Sequence, residues 1–128
     1  MIGGKVLDIP ALIDLVYGRT QYMRALAYVM ATQGDTLAVP ATALAVTAAR
    51  IPDDARTELA WAVDSAIVVV PPLDTPAAYA VADIARDLDE DIVTGHIAHL
   101  ARTRGWPVIT TEPAERWHSL GIPTELLP

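Results

Sequence analysis

Residues 91–113, DIVTGHIAHLARTRGWPVITTEP, hold the reading of the fold. Val93, Ile97, Leu100 and Ala101 recur at helical spacing and give a helix over Asp91–Arg104 one apolar stripe. Asp91 stands where a helix is capped, and Gly105 where one stops in a left-handed turn. Arg102 and Arg104 match the negative end of that helix's dipole. After Trp106-Pro107 the pattern changes to a short strand, Val108-Ile109-Thr110, with Glu112 two residues beyond it. A helix that hands over to a short apolar strand is half of a βαβ unit.

The same alternation extends outward in both directions. Lys5-Val6-Leu7-Asp8 reads as a strand, and Pro10 suits the first turn of a helix running to about Tyr17. Met23, Leu26, Ala27 and Met30 fall at helical spacing within Thr20–Thr32, and Gly34 ends that run. Thr36–Val39 is a second strand, followed by a helix from Pro40 through Arg50. Asp53 or Asp54 is placed to cap the next helix, in which Leu59, Ala62 and Val63 share a face. The uninterrupted run Ile67–Val70 is expected of a strand buried on both faces, and Pro71-Pro72 stops it. A helix over Pro76–Asp87 precedes the quoted stretch; a helical turn from Pro113 to Leu120 and an extended Pro123–Leu127 follow it. Strands alternating with helices imply right-handed crossovers and a mainly parallel sheet covered on both faces. The expectation is a single α/β domain over residues 1–128.

Composition agrees and narrows the function classes. The chain of 128 residues is 52% hydrophobic and 20% charged, which suits one folded unit and excludes intrinsic disorder. It has no cysteine, which excludes a disulfide scaffold, a thiolate zinc site and a cysteine nucleophile. Lys5 and Asp8 break the first apolar stretch, and Asp14, Asp64 and Pro71 break the longest later ones, so neither a signal peptide nor a membrane span is expected. A soluble, cytoplasmic protein is the expectation. A net charge of −7 argues against coating nucleic acid, though not against a local arginine patch. Arg50, Arg56, Arg102, Arg104 and Arg116 are the cations available for one. The mean hydropathy of +0.32 is high for so small a domain. A rich core and a face covered by a partner or second copy both explain it.

In open parallel sheets, ligands bind beyond the carboxyl ends of the strands. Asp8 closes the first strand, Glu112 follows the fourth, and Asp91 begins the helix between them. Three carboxylates from separate segments form a candidate oxygen-ligand set for a hard cation, since without one they would raise each other's pKa. Each also has a purely structural use: Asp91 as a helix cap, Asp8 as acceptor for the amides of the helix that follows it. His96 and His99 lie three apart on one helix, without a third ligand, and fit packing better than zinc. Trp106 reads as packing, and Trp61 as a core or dimer contact. No Ser–His–Asp order, phosphate-binding glycine loop or dinucleotide fingerprint is present.

Three stretches, VLDIPALIDLV (6–16), LAVPATALAVTAAR (37–50) and DIVTGHIAHLARTRGWPVITTEP (91–113), resemble in order and spacing the PIN domain. That is the metal-dependent nuclease fold of VapC-type toxins in bacterial toxin–antitoxin pairs. The resemblance implies a three-layer α/β/α fold and four acids around Mg²⁺ or Mn²⁺. Asp8 stands in the first acidic place, Asp91 in the third, and Glu112 where the family usually has Asp. The second acid is normally a Glu, and Val46, six residues after Pro40, holds its place. Ile9-Pro10 follow Asp8 where the family has small hydroxyl residues. Asp87 and Asp89, which flank Asp91, read as a solvated loop rather than as substitutes. The resemblance therefore implies a degraded site of Asp8, Asp91 and Glu112, with the metal weakened or absent and nuclease activity impaired or lost. Function would then rest on protein or RNA binding. Its alternative is an active Mg²⁺- or Mn²⁺-dependent endoribonuclease using the same three acids. Either way it implies a homodimer and an antitoxin-like partner.

Overall fold

The computed structural model describes residues 3–89 and 91–128. Strand β1 (Gly4–Leu7) runs at the centre of the sheet, and Asp8 turns the chain directly into helix α1 (Ile9–Tyr17). Helix α2 (Tyr22–Gln33) leads to β2 (Thr36–Ala38), and α3 (Ala41–Arg50) follows. A 3-10 turn (Asp53–Ala55) and α4 (Arg56–Val63) precede β3 (Val68–Val69). Then come α5 (Thr75–Arg86), α6 (Ile92–Arg104), β4 (Val108–Thr110), α7 (Glu115–Ser119) and β5 (Thr124–Leu126). The strand order is β3-β2-β1-β4-β5, and every pairing is parallel.

Strand alternation sorts the core into two layers. Leu7, Leu37, Val39 and Ile109 point to one side, where they join Leu12 and Val16 of α1, Met23 and Met30 of α2, and Leu59 of α4. Val6, Ala38 and Val108 point to the other side and join Ile97, Leu100 and Ala101 of α6 with Trp117 of α7. The sheet is thus covered on both faces, in the three-layer arrangement expected. Gly4 lets the layers close: a Cβ there would lie 2.6 Å from the Trp106 ring and 2.7 Å from the carbonyl oxygen of Thr36. Among the described residues no helix is long and apolar enough to cross a membrane.

Three local expectations need correction. The Ile67–Val70 run is not buried on both faces: only Val68–Val69 pairs, at the sheet edge beside β2, and Val69 is exposed. A continuous β-branched run sets strand preference, but the order of strands decides which one is central. Asp53 and Asp54 do not cap α4 with a side chain; they form the 3-10 turn before it. Trp61 is 72% exposed and is no part of the core.

Candidate functional site

From β1 the chain passes through β2 to one edge of the sheet, whereas β4 and β5 lie on the other side of β1. Strand order reverses between β1 and β4, which leaves a crevice beyond their carboxyl ends. A cleft of about 350 Å³ occupies that position, and Asp8, Asp91 and Glu112 all line it.

Asp8 is half-buried and caps α1. Its Oδ1 accepts from the Ile9 amide at 2.7 Å, and its Oδ2 from the Thr110 hydroxyl at 2.7 Å. Ile9-Pro10 do withhold a neighbouring hydroxyl, but the last residue of β4 supplies one across the β1–β4 seam. Asp91 caps α6: Oδ1 accepts from the Thr94 amide at 3.0 Å and Oδ2 from the Thr94 hydroxyl at 2.6 Å. The Arg116 guanidinium, from α7, donates to the Thr94 hydroxyl at 2.9 Å and stands 3.4 Å from Asp91 Oδ2. Glu112 is exposed on the loop after β4. Val46 and Arg50, one turn apart on α3, complete the opposite wall.

Sharing a cleft is not the same as sharing an ion. Among the described residues, no group of three or more His, Cys, Asp and Glu side chains is arranged to hold a metal. Both oxygens of Asp91 are engaged by Thr94, Oδ2 also faces Arg116, and Val46 brings no donor atom. As folded, the cleft offers three carboxylates, Asp8, Asp91 and Glu112, and Asp91 already faces a cation of the protein's own. Of the five arginines available for an anionic partner, Arg50 and Arg116 line the cleft. The other three lie elsewhere: Arg56 donates to the Ala48 carbonyl, Arg102 to that of Leu120, and Arg104 stacks over Trp106.

Thr94, Thr110 and the Arg116–Asp91 pair were missed as site features in the sequence. Thr94, three residues after a capping Asp, carried a visible signal. Thr110 stands two residues before Glu112, where the family that the chain resembles has Thr-x-Asp, but its bond to Asp8 and the place of Arg116 follow only from the sheet order.

His96 is fully buried. Its Nδ1 lies 2.8 Å from the Thr42 hydroxyl, tying α6 to the start of α3, while Nε2 has no hydrogen-bond partner among the described residues. Burial pushes its pKa below 6.5, His99 adds to that, and Asp74 opposes it. The folded state therefore binds the proton less readily than the unfolded chain. Stability is full above pH 6.5 and falls as the pH drops from there towards the lower folded value. Thermal unfolding between pH 7.5 and 5 is expected to show this decline, and His96→Met to remove its share of it. An equal slope in both proteins would refute the assignment.

No family model and no curated protein matches this chain. In fold it is similar to a chain of the crystal structure of VapBC2 from Rickettsia felis bound to a DNA fragment from their promoter. The TM-score is 0.69 over 98% of this chain and 99% of that one, at 9% sequence identity. The shared feature is the PIN-like α/β/α fold.

Proposed function

We propose that this chain is a PIN-fold protein of the VapC toxin type whose metal-dependent nuclease chemistry is impaired or lost, and which acts through binding a protein partner or RNA. The observation that carries this reading is the composition of the cleft: Val46 stands in its wall without a donor, and Arg116 rests on Asp91. A hard divalent ion needs several oxygen ligands, and each missing carboxylate weakens its hold by roughly one to three orders of magnitude. A small antitoxin-like protein is the partner class supported by the likeness to VapBC2, and the cytoplasm is where such a pair would work. A second copy of the chain is the further contact that the VapC-type resemblance implies.

The second reading, an active Mg²⁺- or Mn²⁺-dependent endoribonuclease using Asp8, Asp91 and Glu112, has one specific support: all three line one cleft. One assay separates the two. Purified chain is incubated with labelled single-stranded RNA and millimolar Mn²⁺, beside Asp8→Asn and Asp91→Asn. The expected result is no cleavage above the level of the two variants. Cleavage by the unsubstituted chain that disappears in both variants would establish the second reading.

A further inference from the structure

We propose that Arg116 is a built-in cation, which takes the position a divalent ion would be drawn to and closes the cleft to metal. The inference rests on the reading that metal chemistry is impaired, and adds a physical cause beyond the missing acid at Val46.

The Oδ2 atom of Asp91 serves two donors at once, the Thr94 hydroxyl at 2.6 Å and the Arg116 guanidinium at 3.4 Å. The same guanidinium nitrogen donates to the Thr94 hydroxyl at 2.9 Å, so carboxylate, hydroxyl and cation form a closed triangle. An ion approaching Asp91 would have to displace Arg116 or face its charge. The position of Arg116 is fixed from below. Trp117, the next residue, is 1% exposed, and its carbonyl accepts from the Ile122 amide at 2.9 Å. The backbone that presents the guanidinium is therefore anchored, while the side chain itself, 54% exposed, gives up rotamer freedom on pairing.

Arg50 lines the same cleft one helical turn beyond Val46. Where α3 could have presented a carboxylate, it presents methyl groups and then a second positive charge. Two arginines against Asp8, Asp91 and Glu112 leave the lining close to neutral, where three acids alone would attract a cation. Arginine stays protonated across the accessible pH range, so this compensation persists where metal would be stripped by a chelator.

The test is a calorimetric Mn²⁺ titration of the unsubstituted chain, Arg116→Ala and Arg116→Gln, repeated with Val46→Glu added to each. Arg116→Gln removes the charge and shortens the side chain while keeping an amide donor on it; circular dichroism checks that every variant is folded. Broadening of the Thr94 and Thr110 amide resonances by Mn²⁺ locates the ion. Both Arg116 variants are expected to bind at least about tenfold more tightly than their parents, since removing a like charge a few ångströms from the ion relieves direct repulsion. Equal affinity within each set, including no binding in any of them, overturns the proposal. So does tight Mn²⁺ binding by the unsubstituted chain. These outcomes are independent of the RNA assay: the internal cation can fail while cleavage stays absent, and cleavage by the unsubstituted chain would defeat the functional reading on its own.

Discussion

Trp117→Ala is expected to lower the unfolding free energy by about 3–5 kcal/mol, which lowers the melting temperature by about 10–20 °C for a domain of this size. Trp117 is among the largest fully buried side chains, packed in the layer that holds Val6, Ile97, Val108 and Ile122. Deleting the indole leaves a cavity that five-residue α7 is too short to collapse into. The same residue walls the cleft, so the damage extends to the Arg116–Asp91 contact. Trp61→Ala is the internal control. At 72% exposure it is expected to change stability by no more than about 0.5 kcal/mol. Urea unfolding followed by circular dichroism measures both, and comparable losses in the two variants would refute the core assignment.

Asp14→Ala is expected to cost about 2–3 kcal/mol, through buried hydrogen-bonding groups left without a partner. Asp14 sits in an otherwise apolar helix face and is only 4% exposed. Its Oδ1 accepts from the Thr20 amide at 2.9 Å, and its Oδ2 from the Thr20 hydroxyl at 2.9 Å and the Met23 amide at 3.2 Å. The residue before α2, Gln21, makes no side-chain cap of its own, so Asp14 caps α2 from the neighbouring helix. Burial pushes the carboxyl pKa up, but the hydrogen bonds from Thr20 and Met23 and the charge of Arg24 outweigh it and hold the group below 3.8. The folded state thus binds this proton less readily than the unfolded chain. Its contribution is fully present above pH 3.8 and is lost as the pH falls through the lower folded value. Acid unfolding of Asp14→Asn is expected to lack this part of the pH dependence. An identical acid limb in both proteins would remove Asp14 from the account.

Much of the fold could be read locally. The stripe Val93, Ile97, Leu100 and Ala101, with Asp91 before it and Gly105 after it, defines α6 to within a residue. Thr36 and Val108 open strands where the sequence places them. What failed depended on strand order. The IVVV run gives a strand, yet nothing within it says that only one neighbour will pair with it. Asp14 reads as a polar interruption because its partners belong to the next helix. In the site, Asp8, Asp91 and Glu112 were found from their places at strand and helix ends, and the cleft gathers them. Arg116 stood among five candidate cations until tertiary structure brought it to a carboxylate 25 residues away along the chain.

The Thr110–Asp8 hydrogen bond spans 102 residues. Loops of that length close at an entropic cost that grows only slowly with length, but the search for such contacts slows folding. The strands on one side of β1 need no residue beyond Val69 for their pairing, whereas β4 must wait for α5 and α6. The cleft is consequently expected to form late in folding. A chain stalled with β1, β2 and β3 paired would carry much of the sheet and none of the wall that β4 and α7 provide. Refolding followed by a probe at Trp117 should therefore lag behind one placed between β1 and β2.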